Sequence, residues 1–298
     1  MHNGGSAGPS AKTVTVVAVP PWLALGVEAW DLPATRRDDV LVSVQPAFVR
    51  LAVLGGSGGG TTGAAGGAAG GPDGTPSPMG TDEPRYATGL VRAALREDTG
   101  AGAALEAANR LLFDASRTGH RAQASTAAVV ATITRHGIEV LVAGGGAAYA
   151  HRDGDWFALA PGDPLTDEAN TEWRGWAAEH PEATRADRAA ARLRILDDPD
   201  RWRNPAIGAF ERLRPDVATI EGDWDELVLA TDGARLDPSL LGRLESWITG
   251  LRAWESQHEV ALGRAGAEVH ADVTVLRARR LPLPDEAAEA RAEIGAGR

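Results

Sequence analysis

The sequence predicts a layered α+β domain, and three features of its pattern support this. Runs of β-branched and apolar residues typical of strands come first, residues at helical spacing follow, and the alternation then repeats and ends on a strand. Short turns such as Arg135-His136-Gly137 join neighbouring strands, as in antiparallel hairpins. Because strands are grouped and helices come in pairs, the pattern favours packed antiparallel layers over alternating βαβ units.

The first third of the chain is predicted to hold four strands, a long loop and two helices. Residues 55–82 are rich in glycine, alanine and proline, and a helix cannot persist there because each glycine costs about 1 kcal/mol and each proline about 3 kcal/mol. The predicted strands are residues 12–19, 26–30, 39–44 and 49–54, and the predicted helices are residues 83–97 and 103–113.

The remainder repeats the order of strands and helices. Trp173 and Trp176 lie three residues apart on one helical face, and we expect them to pack against a sheet. The predicted strands are residues 125–134, 139–143, 147–150, 155–159, 216–220, 227–231 and 269–277. The predicted helices are residues 167–196, with a break at His180-Pro181, then 238–250 and 251–262.

Composition narrows the classes of function. The 298 residues carry 30 Lys and Arg against 41 Asp and Glu, a net charge of −11, which argues against a nucleic-acid partner because such a protein needs a basic face. No run approaches 18 apolar residues, so no membrane partner is expected. The absence of cysteine excludes a thiol nucleophile and a thiolate zinc site.

The two ends of the chain are predicted to lie outside a single domain at residues 12–280. Residues 1–11 lack the basic start and apolar core of a signal peptide, and their glycine and serine content indicates a disordered leader. Residues 281–298 form an acidic tail. We therefore expect a cytoplasmic protein.

The glycine-rich segment satisfies two familiar motifs. Gly58, Gly60 and Gly63 fit the dinucleotide-binding pattern, and Ser57 stands in a G-x-S-x-G pattern with Asp232 and His270 following in the hydrolase order. Both motifs require a helix directly after the turn, and the sequence beyond Gly63 does not allow one. Ser57 is therefore interpreted as a loop residue.

Asp232 follows the apolar run of residues 227–231 and precedes Gly233, so a carboxylate is expected at a strand end. Carboxylates at such positions ligate hard cations or cap the following turn, and the residues alone leave both alternatives open.

Taken in order, segments over nearly the whole chain resemble the metal-dependent type 2C Ser/Thr protein phosphatase family of bacteria. Arg37-Asp38-Asp39 resembles the family's Asn-Glu-Asp, and residues 54–59 resemble its Ala-Asp-Gly-Met-Gly-Gly. The other matching segments are residues 125–127, 142–149, 151–154, 164–167, 226–233 and 270–275. The resemblance implies an α-β-β-α sandwich of two antiparallel sheets flanked by helix pairs.

The resemblance also implies a metal site, since acidic side chains in that family hold two divalent cations whose bridging water attacks the phosphate. The matching candidates for catalysis are Asp38, Asp39 and Asp232. As metal ligands it implies Asp39 and Asp232, with Asp38 and Asp272 as possible additions, and the anion-binding candidates are Arg36 and Arg37. However, the family's bridging aspartate falls at Gly55, and two more of its acidic positions fall at Gly145 and Ala271.

Adjacent dications repel strongly, and a bridging carboxylate offsets that repulsion. Because Gly55 has no side chain, no cofactor is expected beyond weakly bound Mn²⁺ or Mg²⁺. We expect a catalytically inactive, regulatory pseudophosphatase that binds a protein or a phosphorylated small molecule. The alternatives are a diverged metal-dependent phosphatase or hydrolase that uses one divalent cation, and a docking role for residues 55–78.

Overall fold

The computed structural model of the chain describes residues 11–17, 20–32, 39–56, 82–117, 125–160, 164–195, 206–208, 211–258, 270 and 272–283. The predicted leader up to residue 10, most of the glycine-rich loop, and the tail from residue 284 lie outside these residues, as does Ser57. The leader, domain and tail boundaries therefore remain predictions.

The described strands form two antiparallel sheets. The strands are β1 (Ala11–Val17), β2 (Ala24–Leu32), β3 (Asp39–Val44), β4 (Val49–Gly56), β5 (Thr126–Thr134), β6 (Gly137–Ala143), β7 (Ala147–Arg152), β8 (Asp155–Ala160), β9 (Asp216–Glu221), β10 (Glu226–Ala230) and β11 (Val273–Leu281). Sheet A has the order β1-β2-β11-β10-β7-β8, and sheet B has the order β3-β4-β5-β6-β9.

The alternation of side chains along the strands builds the layers. In β4, Leu51 and Val53 pack between the two sheets, whereas Ala52 and Leu54 pack under helices. In β10, Leu229 likewise faces sheet B and Val228 faces the opposite side. Each central strand is therefore apolar on both faces, which explains its continuous apolar sequence.

Two helix pairs cover the outer faces of the sheets, as the resemblance implied. The helices are α1 (Asp82–Ala94), α2 (Ala101–Arg117), α3 (Pro164–Glu179), α4 (Arg185–Ile195), α5 (Pro238–Leu241) and α6 (Leu244–Gln257). Helices α1 and α2 pack on sheet B, and α5 and α6 pack on sheet A. Over the described residues, no helix has the length and apolar character needed to cross a membrane.

The predicted division of the last helix pair is wrong. We predicted a break after Gly250, but the chain breaks at Gly242-Arg243 and α6 continues through Gly250. Ile248 and Leu251 are fully buried on either side of this glycine. Their packing against sheet A outweighs the roughly 1 kcal/mol that an exposed helical glycine costs.

Pairing across the sheets also moves several boundaries. Strand β4 extends to Gly55 and Gly56 because these residues pair with Ala127 and Thr126 of β5, so the loop begins later than predicted. Strand β11 is shifted toward the C-terminus relative to the predicted strand at residues 269–277, because it pairs with β2 over its full length.

Helices α3 and α4 form a hairpin that is separated by residues 180–184, as the His180-Pro181 break predicted. Trp173 is buried against Ala191 and Ile195 of α4, with Trp176 packed beside them. The expectation that Trp173 packs against a sheet is therefore wrong, because the second helix supplies the apolar surface.

Candidate functional site

The ends of five strands meet at one edge of the sandwich. In sheet A the end of β2 pairs with the start of β11 through Leu32 and Val273, and β10 ends beside them. In sheet B the start of β3 pairs with the end of β4 through Asp39 and Leu54. We call this region, defined by Leu32, Asp39, Gly56, Thr231 and Val273, the common edge.

Asp39, a predicted metal ligand, lies at the common edge, and its carboxylate is already paired with neighbouring groups. Its Oδ1 atom accepts a hydrogen bond of 2.8 Å from the Val40 amide, and its Oδ2 atom forms an ion pair with Arg92 of α1. Leu41, two residues along β3, packs with the helix layer, so Asp39 is on the helix-facing side of its strand.

The structure brings two further carboxylates, Asp31 and Asp272, to the common edge. Asp31 stands opposite Thr274, whose hydroxyl donates a hydrogen bond of 3.4 Å to it. Asp31 is exposed, but partial desolvation raises its pKa, the Thr274 hydrogen bond opposes this, and the negative charge of Asp272 raises it further. Sequence reasoning missed Asp31, and the only signal was an acid between Trp30 and Leu32 in an apolar strand.

Asp232 comes just after the end of β10, as predicted, in a short 3₁₀ turn, Asp232–Ala234. Its backbone lies at the common edge. The Thr231 amide donates to the Thr274 carbonyl oxygen at 3.0 Å, which fixes the start of this turn beside β11. The Asp232 side chain, together with Asp38, Arg36 and Arg37, lies outside the described part of the chain, so their proposed roles stay predictions.

Gly55, where the resemblance puts the family's bridging aspartate, lies at the end of β4. The residue is buried, and its carbonyl oxygen accepts a hydrogen bond of 2.6 Å from the Thr126 hydroxyl. The Thr126 hydroxyl also lies 3.4 Å from the Thr88 hydroxyl of α1. The end of β4 is thus joined to β5 and to the helix layer by neutral polar groups.

The link between β6 and β7 crosses the common edge through Gly144-Gly145-Gly146, all with positive φ. A Cβ atom on Gly146 would lie 2.5 Å from Val129 Cγ2 and 2.7 Å from the Ala230 carbonyl oxygen. Glycine is therefore required at this close approach to the end of β10. Gly145, where another family aspartate falls, is buried with φ of 87°.

A buried glutamate beneath the sheet A side of the common edge was also missed from the sequence. Glu255 of α6 is 2% exposed; its Oε2 atom lies 3.0 Å from Arg252 Nη1 and 2.8 Å from His270 Nδ1, and its Oε1 atom lies 3.6 Å from Arg235 Nε. The signal was its helical position four residues after Leu251, on the buried face. We call these four residues the Glu255 cluster.

The described residues do not fit a paired-metal centre. Within the part of the chain that the structure describes, no group of three or more histidine, aspartate or glutamate side chains is arranged to hold a metal ion. Asp39 is paired with Arg92, and Gly55 supplies no carboxylate.

Comparison with known proteins identifies the fold. No protein-family model matches the sequence, and no curated protein matches it. Among solved structures, RsbX in complex with magnesium is 10% identical and matches with a TM-score of 0.50, covering 91% of this chain and 100% of that chain. The Mycobacterium tuberculosis serine/threonine phosphatase PstP/Ppp is 18% identical, with a TM-score of 0.50 over 86% of this chain and 98% of that chain.

The S. agalactiae serine/threonine phosphatase is 12% identical, with a TM-score of 0.52 over 90% of this chain and 99% of that chain. The similarity runs through nearly all of each neighbour, although the identities are low. It confirms the predicted fold, the α-β-β-α sandwich of bacterial type 2C phosphatases.

Proposed function

We propose that this chain, which has the type 2C phosphatase fold, is a phosphatase-like binding protein without paired-metal phosphatase activity. The observation that carries the proposal is Gly55, which stands at the end of β4 where a bridging carboxylate would be needed. Loss of that one side chain removes the ligand that two cations would share.

The magnitude of the repulsion supports this conclusion. Two unit charges about 4 Å apart repel by about 4 kcal/mol at an effective dielectric constant near 20, so two dications repel by about 16 kcal/mol. The Arg92 guanidinium, paired with Asp39, adds positive charge to the same edge. Asp31 belongs to β2 and Asp272 precedes β11, so both acids come from sheet A, whereas Gly55 belongs to sheet B.

The partner in this proposal is a protein or a small molecule that carries a phosphate group, bound at the common edge. The net charge of −11 disfavours nucleic acid. A regulatory role in the cytoplasm, without a membrane partner, completes the proposal.

The test measures hydrolysis of an aryl phosphate by the full chain in the presence of Mn²⁺. We expect no turnover above the rate of buffer with Mn²⁺, and no difference between the unmodified chain, Asp232→Ala and the surface control Glu106→Ala. Robust turnover that Asp232→Ala abolishes and Glu106→Ala preserves would overturn the proposal.

The second candidate is a diverged phosphatase or hydrolase that uses a single divalent cation. It is favoured by the acidic charge at the common edge, where Asp272 and Asp39 both raise the pKa of Asp31. The remaining ligands of one ion would be the predicted Asp38 and Asp232, whose side chains lie outside the described residues. Calorimetric titration with Mn²⁺ distinguishes the two candidates. No uptake at millimolar metal removes the second one, and stoichiometric uptake that Asp272→Asn abolishes supports it.

A further inference from the structure

Arg235 has an unusual and firmly held backbone. Its φ is 48°, a conformation that is strained for a residue with a side chain. The carbonyl groups on either side of it are anchored, because Trp247 Nε1 donates to the Ala234 oxygen at 2.9 Å and the Tyr149 hydroxyl donates to the Leu236 oxygen at 2.6 Å. These two hydrogen bonds hold Arg235 in one orientation beside the common edge.

The Glu255 cluster contains more positive than negative charge. One buried carboxylate faces two arginines and a histidine. Both terminal nitrogens of Arg252 have partners: Nη1 donates to Glu255, and Nη2 donates to the Leu32 carbonyl oxygen at 2.7 Å. Arg252 also lowers the pKa of Asp31, so part of its charge is balanced by that acid.

Arg235 has fewer hydrogen-bond partners among the described residues than Arg252 has. Its Nε atom is buried with no hydrogen-bond partner among the described residues, and its contact with Glu255 at 3.6 Å is longer than a hydrogen bond. Its side chain is 27% exposed, so part of it is open to solvent. Among the described residues, Glu255 is the acid that contacts this cation.

We propose that Arg235, backed by Arg252, forms a binding subsite for a phosphate group at the sheet A side of the common edge. A guanidinium offers two parallel donors that match two phosphate oxygens, and such charge-assisted hydrogen bonds are about twice as strong as neutral ones. The anion site predicted from the sequence at Arg36 and Arg37 lies outside the described residues. This inference rests on the proposed function, since it supplies the group that recognises the phosphorylated partner.

The test exploits the backbone of Arg235. Arg235→Gly removes the guanidinium and also relieves the strain at positive φ, which offsets the lost contact with Glu255. We expect the variant to fold, because Arg252 and His270 still contact Glu255. Inorganic phosphate is titrated into the full chain by calorimetry at constant ionic strength, with chloride as the reference anion. We expect phosphate binding to weaken at least about tenfold in Arg235→Gly.

Two further variants complete the design. Arg110→Ala removes an arginine that is exposed on α2 and should bind phosphate like the unmodified chain. Arg235→Lys keeps the charge without the planar fork and should bind with intermediate affinity. A phosphoserine peptide and phenyl phosphate then distinguish a protein partner from a small molecule, because the true source should bind more tightly than inorganic phosphate.

Equal phosphate affinity in Arg235→Gly and the unmodified chain, or no phosphate binding by the unmodified chain at tens of millimolar, would overturn the inference. The proposed function fails by a different readout, which is Mn²⁺-dependent turnover of an aryl phosphate. Turnover with Arg235-dependent phosphate binding would overturn the proposed function alone. A chain that is inert toward aryl phosphate and binds phosphate independently of Arg235 would overturn this inference alone.

Discussion

At the common edge, the acidic side chains of the two sheets differ in burial and in the number of cations that contact them. Sheet B places Asp39 at the surface, where a single arginine, Arg92, neutralises it and both side chains remain about one-third exposed at 32% and 36%. Sheet A has Glu255 beneath it, 2% exposed and contacted by two arginines and a histidine. One edge therefore carries both a solvent-screened ion pair and a buried cluster in which cations outnumber the acid, and the two differ in their effects on stability and binding.

The largest difference between the two sides should appear when each acid is removed. We expect Glu255→Gln to lower the free energy of unfolding by about 3 kcal/mol, because it leaves Arg235 and Arg252 without a buried counter-charge. Urea unfolding measures this. The exposed glutamate of the same helix, Glu245, gives the control Glu245→Gln, which should change stability by less than about 0.5 kcal/mol. Equal losses in the two variants would show that the buried cluster has no special role.

The pair on sheet B should contribute much less. A double-mutant cycle of Asp39→Asn and Arg92→Ala should give a coupling energy below about 1 kcal/mol that falls further in high salt, since both side chains are partly exposed. Unfolding measurements at low and high salt provide the cycle. A coupling as large as that of the Glu255 cluster, or one insensitive to salt, would contradict the distinction between the two sides.

The smallest effect concerns Asp31, which lies between the two regions. Because partial desolvation raises its pKa in the folded protein, its charged form opposes folding above the ordinary carboxyl value of 3.8. Asp31→Asn keeps an acceptor for Thr274 and should be more stable than the unmodified chain at pH 7 by about 0.5 kcal/mol, after allowance for solvent screening.

The pH dependence of the stability difference between Asp31→Asn and the unmodified chain tests whether the charged form of Asp31 opposes folding. The advantage should disappear as the pH falls below 3.8, where Asp31 is protonated in both the folded and unfolded states of the unmodified chain. Thermal unfolding at pH 7 and at pH 3 provides the comparison. A variant that is less stable at pH 7 would mean that the charged form of Asp31 supports the fold.

Local patterns predicted the strands well because their signals are local. Runs of β-branched and apolar residues and the hairpin turns predicted the strands within a few residues, and the order of the matching segments predicted the sandwich. The end of α5 was missed because packing of Ile248 and Leu251, not the glycine between them, decides where the helices divide. Tertiary contact outweighed propensity at that point.

The candidate site was harder to predict because its partners are distant in sequence. The position of Asp39 followed from its strand, but its pairing with Arg92, 53 residues away, required the fold. Glu255 meets Arg235 and His270 only because α6, the turn after β10 and the start of β11 converge. Alternation along a strand predicts which face of the sheet a residue occupies, but it does not predict which charged residue from another element lies beside it.

The hairpin of α3 and α4 has a consequence for how the molecule comes apart. Its described apolar side chains, Trp173, Trp176, Ala191 and Ile195, cluster with one another and not with either sheet. Among the described side chains of the hairpin, separating the two helices therefore exposes this small group, while the sandwich keeps its own contacts. Amide protons of the hairpin should exchange with solvent through this local opening, at rates much faster than those of amide protons in the sandwich.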